Sequence, residues 1–369
     1  MSIVIFIIIL LVLVLVHEFG HFFSAKKFGI KVEEFGFGFP PKLFGIKKEE
    51  TEYTFNLLPL GGFVKIFGEN PDDENTKGPE ANRSFVNKPK WQQAVVLFAG
   101  VFANFLLAWL LFSVGFMSGL PTSAGSEPAG YQLSDVHLIV VSVAPDSPAE
   151  NAGLKTGDKI NSVLIPESSN SADFIQNPTA LDLQKLIAGR GSQDFNLAIN
   201  YTRAGAEDMV IMKPALVDGK QHIGISMDMI GTAKLPFFRA LLEGARLDWH
   251  VTKGTAVGLY TLITEGIQGK GDFATIAGPV GMVGIVGDAY EFGFVYLLSF
   301  AALISVNLGI INLIPFPALD GGRLLFLLIE KIKGSRINPK TSNALNMAGF
   351  FVLILLMVIV TYHDVVKLF

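Results

Sequence analysis

The stretch SIVIFIIILLVLVLVHEFGHFF, residues 2–23, holds no Asp, Glu, Lys or Arg before Glu18. An apolar bilayer core is crossed by roughly 20 helical residues, so this run predicts a membrane-spanning helix. It ends in His17-Glu18-Phe19-Gly20-His21. On a helix the two histidines, four positions apart, project from one face and can offer one imidazole nitrogen each to a single metal ion. Glu18 lies about 100° further round, beside the ion's ligands, where a carboxylate can take a proton from metal-activated water. Such a pattern also arises by chance on surface helices of soluble proteins. Within an apolar span an ionisable side chain costs on the order of 3 kcal/mol and marks function by default.

Three further runs have the same character, from about Gln93 to Leu120, about Phe292 to Leu319, and about Leu345 to Tyr362. Half of the 369 residues are hydrophobic and 17% are charged, which departs strongly from a soluble domain. The fold class expected is therefore an α-helical polytopic membrane protein with four transmembrane helices. No Lys or Arg precedes the first run and no A-x-A-like site follows it, so it reads as a retained span and not a cleaved signal peptide. A net charge of -4 without a basic cluster makes nucleic acid an unexpected partner. The absence of cysteine removes disulfides, thiolate metal sites and cysteine nucleophiles, and leaves any metal to His and carboxylates.

Eleven Lys and Arg lie in residues 24–91, and Arg323, Lys331, Lys333, Arg336 and Lys340 follow the third run. Both loops are expected on the cytoplasmic side, with both termini and the long segment 121–291 on the outer side. The boundaries that follow are 1–23 for the first span, 24–91 for a cytoplasmic-side β-element and loop, and 92–120 for the second span. Residues 121–232 form a linker and an outer α+β domain, and 233–291 an amphipathic helix with its connector. The third span takes 292–322, a cytoplasmic loop 323–344, and the fourth span with its tail 345–369.

Within 30–67, GIKVEEFGFGFPP and YTFNLLPLGGFVKIFG alternate and carry Gly and Pro turn signals, as short strands do. Residues 68–90 are polar and loop-like. Residues 237–270 interrupt apolar positions with Arg239, Glu243, Arg246, Asp248 and Lys253, which predicts an amphipathic helix on or near the membrane.

Catalytic zinc usually takes three protein ligands. The third candidate is Asp320 in Asn312-Leu-Ile-Pro-Phe-Pro-Ala-Leu-Asp320-Gly-Gly322, expected to end the third span at the depth of His17. Asp followed by Gly-Gly is also a common turn, and the residues alone leave both readings open. Two neutral imidazoles and one carboxylate would leave the ion at a charge that hydroxide cancels, which suits a low-dielectric site. Pro315 and Pro317 break the helix, and Asn307 and Asn312 would wet the path to it. Asn104, four residues after Gly100, is either part of a small-residue packing face or a group that positions the site.

HEFGH with NLIPFPALDGG resembles the site-2 protease family of intramembrane zinc metalloproteases, in particular the bacterial regulator-of-sigma-E protease branch. The resemblance extends over GFGF, LLPLGGFVK, Gly100-Val-Phe-Ala-Asn104, Ala277-Gly-Pro-Val-Gly281 and LISVNLGIINLIP. Val143-Ala-Pro-Asp-Ser-Pro-Ala149 and Ala152-Gly-Leu-Lys-Thr-Gly-Asp-Lys-Ile160 resemble a bacterial PDZ signature, giving one inserted PDZ-like α+β domain over about 127–230, where known members of the branch carry two.

The resemblance implies one Zn2+ per chain, held by His17, His21 and Asp320, with Glu18 as general base and Asn307, Asn312, Pro315 and Pro317 lining the substrate cleft. It makes 30–67 a membrane-associated β-hairpin that receives substrate by strand addition. The implied activity is hydrolysis of a peptide bond in or near the transmembrane segment of single-pass membrane proteins, as in regulated intramembrane proteolysis of anti-sigma factors or signal-peptide remnants. The implied setting is the bilayer of a bacterial inner membrane, with the active site toward the cytoplasm, the PDZ-like domain outside, and a peptide C-terminus as a ligand at Gln221-His-Ile-Gly224-Ile225 if that loop is more than a strand end. A membrane-anchored zinc protease of soluble proteins and a non-enzymatic PDZ-containing receptor are the competing classes.

Overall fold

The computed structural model describes residues 1–70, 73–168, 173–191, 193–203, 205–217, 219–269 and 278–366. They divide into two compact units. The first comprises Met1–Ser113, Gly244–Gly287 and Leu298–Phe369, and the second Val114–Glu243 with Asp288–Leu297.

Helix α1, Ser2–Lys27, runs through the whole apolar stretch and stops where Gly29 takes a φ of 65°, a conformation that favours glycine. Strands β1, Val32–Lys48, and β2, Thr51–Ile66, follow. Both are long and irregular, so they pair more than once: residues 34–37 face 62–65 on one side and 52–55 on the other, while 44–48 also face 51–55. Phe37 and Phe44 stack on Phe55 with ring centroids 4.3 and 5.1 Å away. Residues 62–66 form an outer edge, and among the described residues no strand pairs with its free side. The short α2, Asp73–Lys77, precedes α3, Lys90–Ser118. Ala25, Ile30, Val32, Ile66, Phe85, Val96 and Leu97 form one buried cluster, which pins the end of α1 and the strands to the start of α3.

The second unit is built on an antiparallel sheet. Its elements are β3 Leu120–Ser123, β4 Ser134–Val143, α4 Pro148–Asn151, β5 Lys159–Leu164, β6 Phe174–Gln176, α5 Ala180–Ala188, β7 Leu197–Arg203, β8 Ala206–Met212, β9 Ala215–Val217, β10 Lys220–His222 and β11 Ile225–Ala233. Strand order is β3-β11-β4-β5-β7-β8 with β6 on β5, and β9 and β10 pair separately. Leu138, Val140, Ile160, Leu183, Leu197 and Ile199 are in its core, and α5 starts on a capping box between Thr179 and Asp182.

Helices α6, Phe237–Ile267, α7, Pro279–Glu291, α8, Phe294–Leu313, α9, Asp320–Lys333, and α10, Pro339–Val366, complete the chain. Among the described residues four helices, α1, α3, α8 and α10, are long and apolar enough to cross a membrane. Only 6% of the most apolar window of α10 is buried, so its Phe, Leu, Ile and Val side chains need lipid around them.

Two expectations are corrected here. The 323–344 segment is not a loop throughout, because α9 occupies Asp320–Lys333 and packs Leu324 and Leu327 on the cluster at the start of α3. Asp320 accordingly opens α9, and the third span stops at Leu313, seven residues earlier, where Pro315 and Pro317 deny the helix its next hydrogen bonds. The helix expected over 237–270 is α6, whose Leu247, Val251 and Leu259 pack against Ala108 and Phe112 of α3 and Ala302, Val306 and Ile310 of α8, while Trp249, Val257, Tyr260 and Ile263 are exposed. In the 233–291 connector, α7 is held at its start by Asp364 of α10, whose carboxylate accepts from the N–H groups of Gly278 and Gly281 at 3.1 and 2.9 Å. Ala277 of the Ala-Gly-Pro-Val-Gly run lies outside the described residues.

Candidate metal centre

Helix α1 delivers His17 and His21 on one buried face, four residues apart. The N-terminal turn of α9 delivers Asp320 opposite them. His17 Nε2 and His21 Nε2 are 3.2 Å apart, and Asp320 Oδ2 lies 3.1 Å from the first and 3.2 Å from the second. Three acceptor-type atoms thus make a nearly equilateral triangle. Asp320 Oδ2 is buried without a properly directed hydrogen bond, although both imidazoles are close.

Helix α3 explains why those atoms carry lone pairs. His21 Nδ1 donates to the Val96 carbonyl at 2.8 Å, which leaves its Nε2 unprotonated. One turn on, a Cβ at Gly100 would lie 2.3 Å from His21 Nε2, so only glycine admits the ring. Another turn on, the Asn104 amide meets His17 Nδ1 at 3.1 Å. Asn104 Oδ1 is otherwise buried and unpartnered, and turning the amide over lets that oxygen accept from Nδ1–H, freeing His17 Nε2 as well. Ser305 of α8 donates to the Asn104 carbonyl at 2.8 Å and fixes this stretch of α3. The helices approach closely because Gly20 of α1 has no Cβ, which would lie 2.3 Å from the Ala99 carbonyl.

The donor set fits a cation. A tetrahedral ion with ligand bonds of about 2.0 Å spaces its ligands about 3.3 Å apart, close to the triangle seen. Two nitrogens and one oxygen are a common set for zinc, and a fourth position stays open.

The three residues border a cavity of about 280 Å³ that also has Glu18, Phe63, Val64, Glu69, Asn312 and Arg323 in its wall. Glu18 is next to the ligands and accepts a hydrogen bond from the Val64 backbone N–H, on the free edge of β2. Arg323, one turn into α9 from Asp320, is ion-paired with Glu69. Burial draws its pKa down from the ordinary guanidinium value, and the nearby Glu18 carboxylate opposes that.

The structure therefore brings His17, Glu18, His21, Asp320 and Asn312 to one cavity. It does not bring Asn307, Pro315 or Pro317 to the wall. Asn307 instead accepts a hydrogen bond from Thr255 of α6 at 3.2 Å. Pro315 and Pro317 lie in the break before α9, and the carbonyl of Pro317 comes close enough to Gly349 of α10 that a Cβ there would sit 2.4 Å from it. Residues missed from sequence are Val96, Glu69 and Arg323. The spacing of Val96, Gly100 and Asn104 by fours was a readable signal for one helix face, but not for what it faces.

The profile of peptidase family M50 matches residues 5–356. The chain is 30% identical over 444 residues to the regulator of sigma-W protease RasP of Bacillus subtilis, covering 100% of this chain and 99% of that one. It is 29% identical over 446 residues to the zinc metalloprotease RasP of Geobacillus kaustophilus, covering 100% and 98%. A candidate zinc metalloprotease of Clostridium perfringens is 33% identical over 363 residues, covering 96% and 95%. A family match over nearly the whole chain agrees with the ligand triangle and with four helices fit for a membrane: this membrane protein belongs to peptidase family M50, the site-2 protease family of zinc metalloproteases.

Proposed function

We propose that the protein hydrolyses a peptide bond in or near the transmembrane segment of single-pass membrane proteins, with zinc held by His17, His21 and Asp320. The observation that carries this reading is the triangle of three side-chain atoms at 3.1–3.2 Å, two of them on a helix long and apolar enough to span a bilayer. Bound zinc would polarise water and the scissile carbonyl. Glu18, steadied by the Val64 N–H, takes the proton from attacking water and later returns it to the leaving amine. Asn312 contacts the substrate, while Pro315 and Pro317 keep the segment beside it from closing into helix.

A helical substrate hides each carbonyl in an internal hydrogen bond, so it must unwind first. The free edge at residues 62–66 offers backbone groups to an unwound strand directly beside Glu18. Substrates whose spans contain Gly or polar residues should be preferred. Phe19 and Phe23, exposed on the turns that carry the motif, are the reason for favouring membrane-embedded over soluble substrates.

The likeness to a regulator of sigma-W protease supports an anti-sigma factor as substrate, with signal-peptide remnants a second class, and a bacterial inner membrane as the setting. The basic loops support a metal centre toward the cytoplasm and the sheet domain of Leu120–Ala233 outside. That domain we read as PDZ-like. A cavity of about 800 Å³ between Gln184, Ile187 and Ala188 of α5 and residues 220–227 is suited to a peptide C-terminus.

The test is cleavage of a single-pass substrate by purified wild type and Glu18→Gln. Loss of about 10²- to 10⁴-fold with zinc retained is expected. Equal cleavage by the two would sink the mechanism.

A further inference from the structure

We propose that Arg323 is a catalytic residue of this site, the donor that stabilises the negative charge formed on the scissile carbonyl oxygen; this rests on the proposed peptide hydrolysis. When the oxygen of water bonds to the carbonyl carbon, the C=O π pair moves onto the carbonyl oxygen and the water proton passes to Glu18. On collapse the C–N bond breaks and that proton goes to the departing nitrogen. The carbonyl oxygen therefore carries a charge only between these two events. Preorganised donors aimed at such a transient charge supply a large share of catalysis.

Arg323 is suited to the task by placement. It borders the same cavity as His17, Glu18, His21 and Asp320, one helical turn from Asp320 on the rigid start of α9. Among the described residues of that wall it is the only Lys or Arg. A guanidinium has five N–H donors in a planar fork. Its ion pair with Glu69 engages one terminal nitrogen, Nη1, and among the described residues no second carboxylate is ion-paired with the fork. Glu69 also borders this cavity, so the pair holds the fork at the wall before substrate arrives. Once Glu18 has taken the water proton it is neutral, while Glu69 at the same wall stays charged and repels an oxyanion, which Arg323 offsets.

The test compares wild type, Arg323→Ala, Arg323→Lys and Glu18→Gln on one single-pass substrate, with zinc content measured for each. Arg323→Ala should keep its zinc and a KM near that of wild type while kcat falls about 10²- to 10³-fold. Added guanidinium chloride at millimolar concentration should restore part of that loss and should leave Glu18→Gln inactive. Arg323→Lys keeps the charge without the fork and should fall between. A zinc-loaded binding assay needs no turnover: a peptide phosphonamidate, whose tetrahedral oxygens mimic the charged state, should lose about 100-fold affinity in Arg323→Ala, with the matching peptide little changed.

Unchanged kcat, a loss explained by missing zinc, or equal weakening of phosphonamidate and peptide would each overturn the proposal. If Arg323→Ala does not fold, the Arg323→Lys comparison decides on the same criteria. Failure of the underlying reading has a different signature, in which wild type cleaves no membrane substrate or Glu18→Gln cleaves as well as wild type.

Discussion

Two acidic side chains withdrawn from solvent, Asp158 in the sheet domain and Asp320 in the helical unit, have opposite surroundings. Asp158 is fully buried and fully partnered: Arg203 Nε and Nη2 donate to its two oxygens at 2.7 and 2.6 Å, and the Lys155 N–H adds a bond at 2.8 Å. Asp320 Oδ2 meets two imidazole nitrogens, of which the His21 ring commits its proton to the Val96 carbonyl and the His17 ring has its other nitrogen against the Asn104 amide. The first carboxylate closes the GLKTGD turn onto β7. The second converges with two imidazole nitrogens, as the ligands of one cation do. A satisfied acid marks structure and an unsatisfied one marks chemistry, even when a glycine adjoins both.

Asp320→Asn should break the contrast most deeply. It keeps the shape and removes the charge, so zinc affinity should fall by more than the roughly 100-fold that loss of an outer partner can cost, and cleavage should vanish with the metal. Metal analysis of the purified variant checks this. Unaltered zinc content would remove Asp320 from the site.

Asp158→Asn should act on stability alone. Arg203 reaches solvent, so the cost should fall near the low end for a broken buried pair, at about 3 kcal/mol, without loss of zinc. Urea-dependent proteolysis of the sheet domain in the intact protein measures it, and a variant as resistant as wild type would deny the pair its structural role.

Asn104→Ala sharpens the comparison at the smallest scale. It frees His17 Nδ1 and should weaken zinc binding about 10- to 100-fold while helix packing persists. Competition with a chelator reports the change, and identical release rates would reduce Asn104 to a packing residue.

Much of the site was legible because its signals are local. HEFGH within an uncharged run states a metal-binding helix face at membrane depth, and Pro315 with Pro317 states a broken helix. Helix α9 was missed for a physical reason: Asp-Gly-Gly satisfies the pattern of a turn, while the apolar positions of RLLFLLIEKIK become persuasive only when Leu324 and Leu327 have a partner cluster. The glycines also mislead, because Gly321 and Gly322 serve close packing. A Cβ on them would lie 2.3 and 2.1 Å from the carbonyls of Leu313 and Phe316, so the broken segment folds back over the start of α9. The amphipathic pattern of α6 likewise says that one stripe is buried, not whether lipid or protein buries it.

The sequence by itself determined the four membrane-length helices, the pair of histidines with their carboxylate neighbour, and the lack of any thiol chemistry, since period, composition and inventory do not depend on what lies far along the chain. Tertiary structure alone decided that Asp320, 299 residues beyond His21, completes a triangle about 3 Å on a side. It also decided that Val96 and Asn104 meet the outer nitrogens of the imidazoles, that Gly100 makes room for the His21 ring, and that Arg323 borders the cavity. Coordination and hydrogen bonding act over a few ångströms in space, and spacing along a chain carries no record of that distance once helices pack.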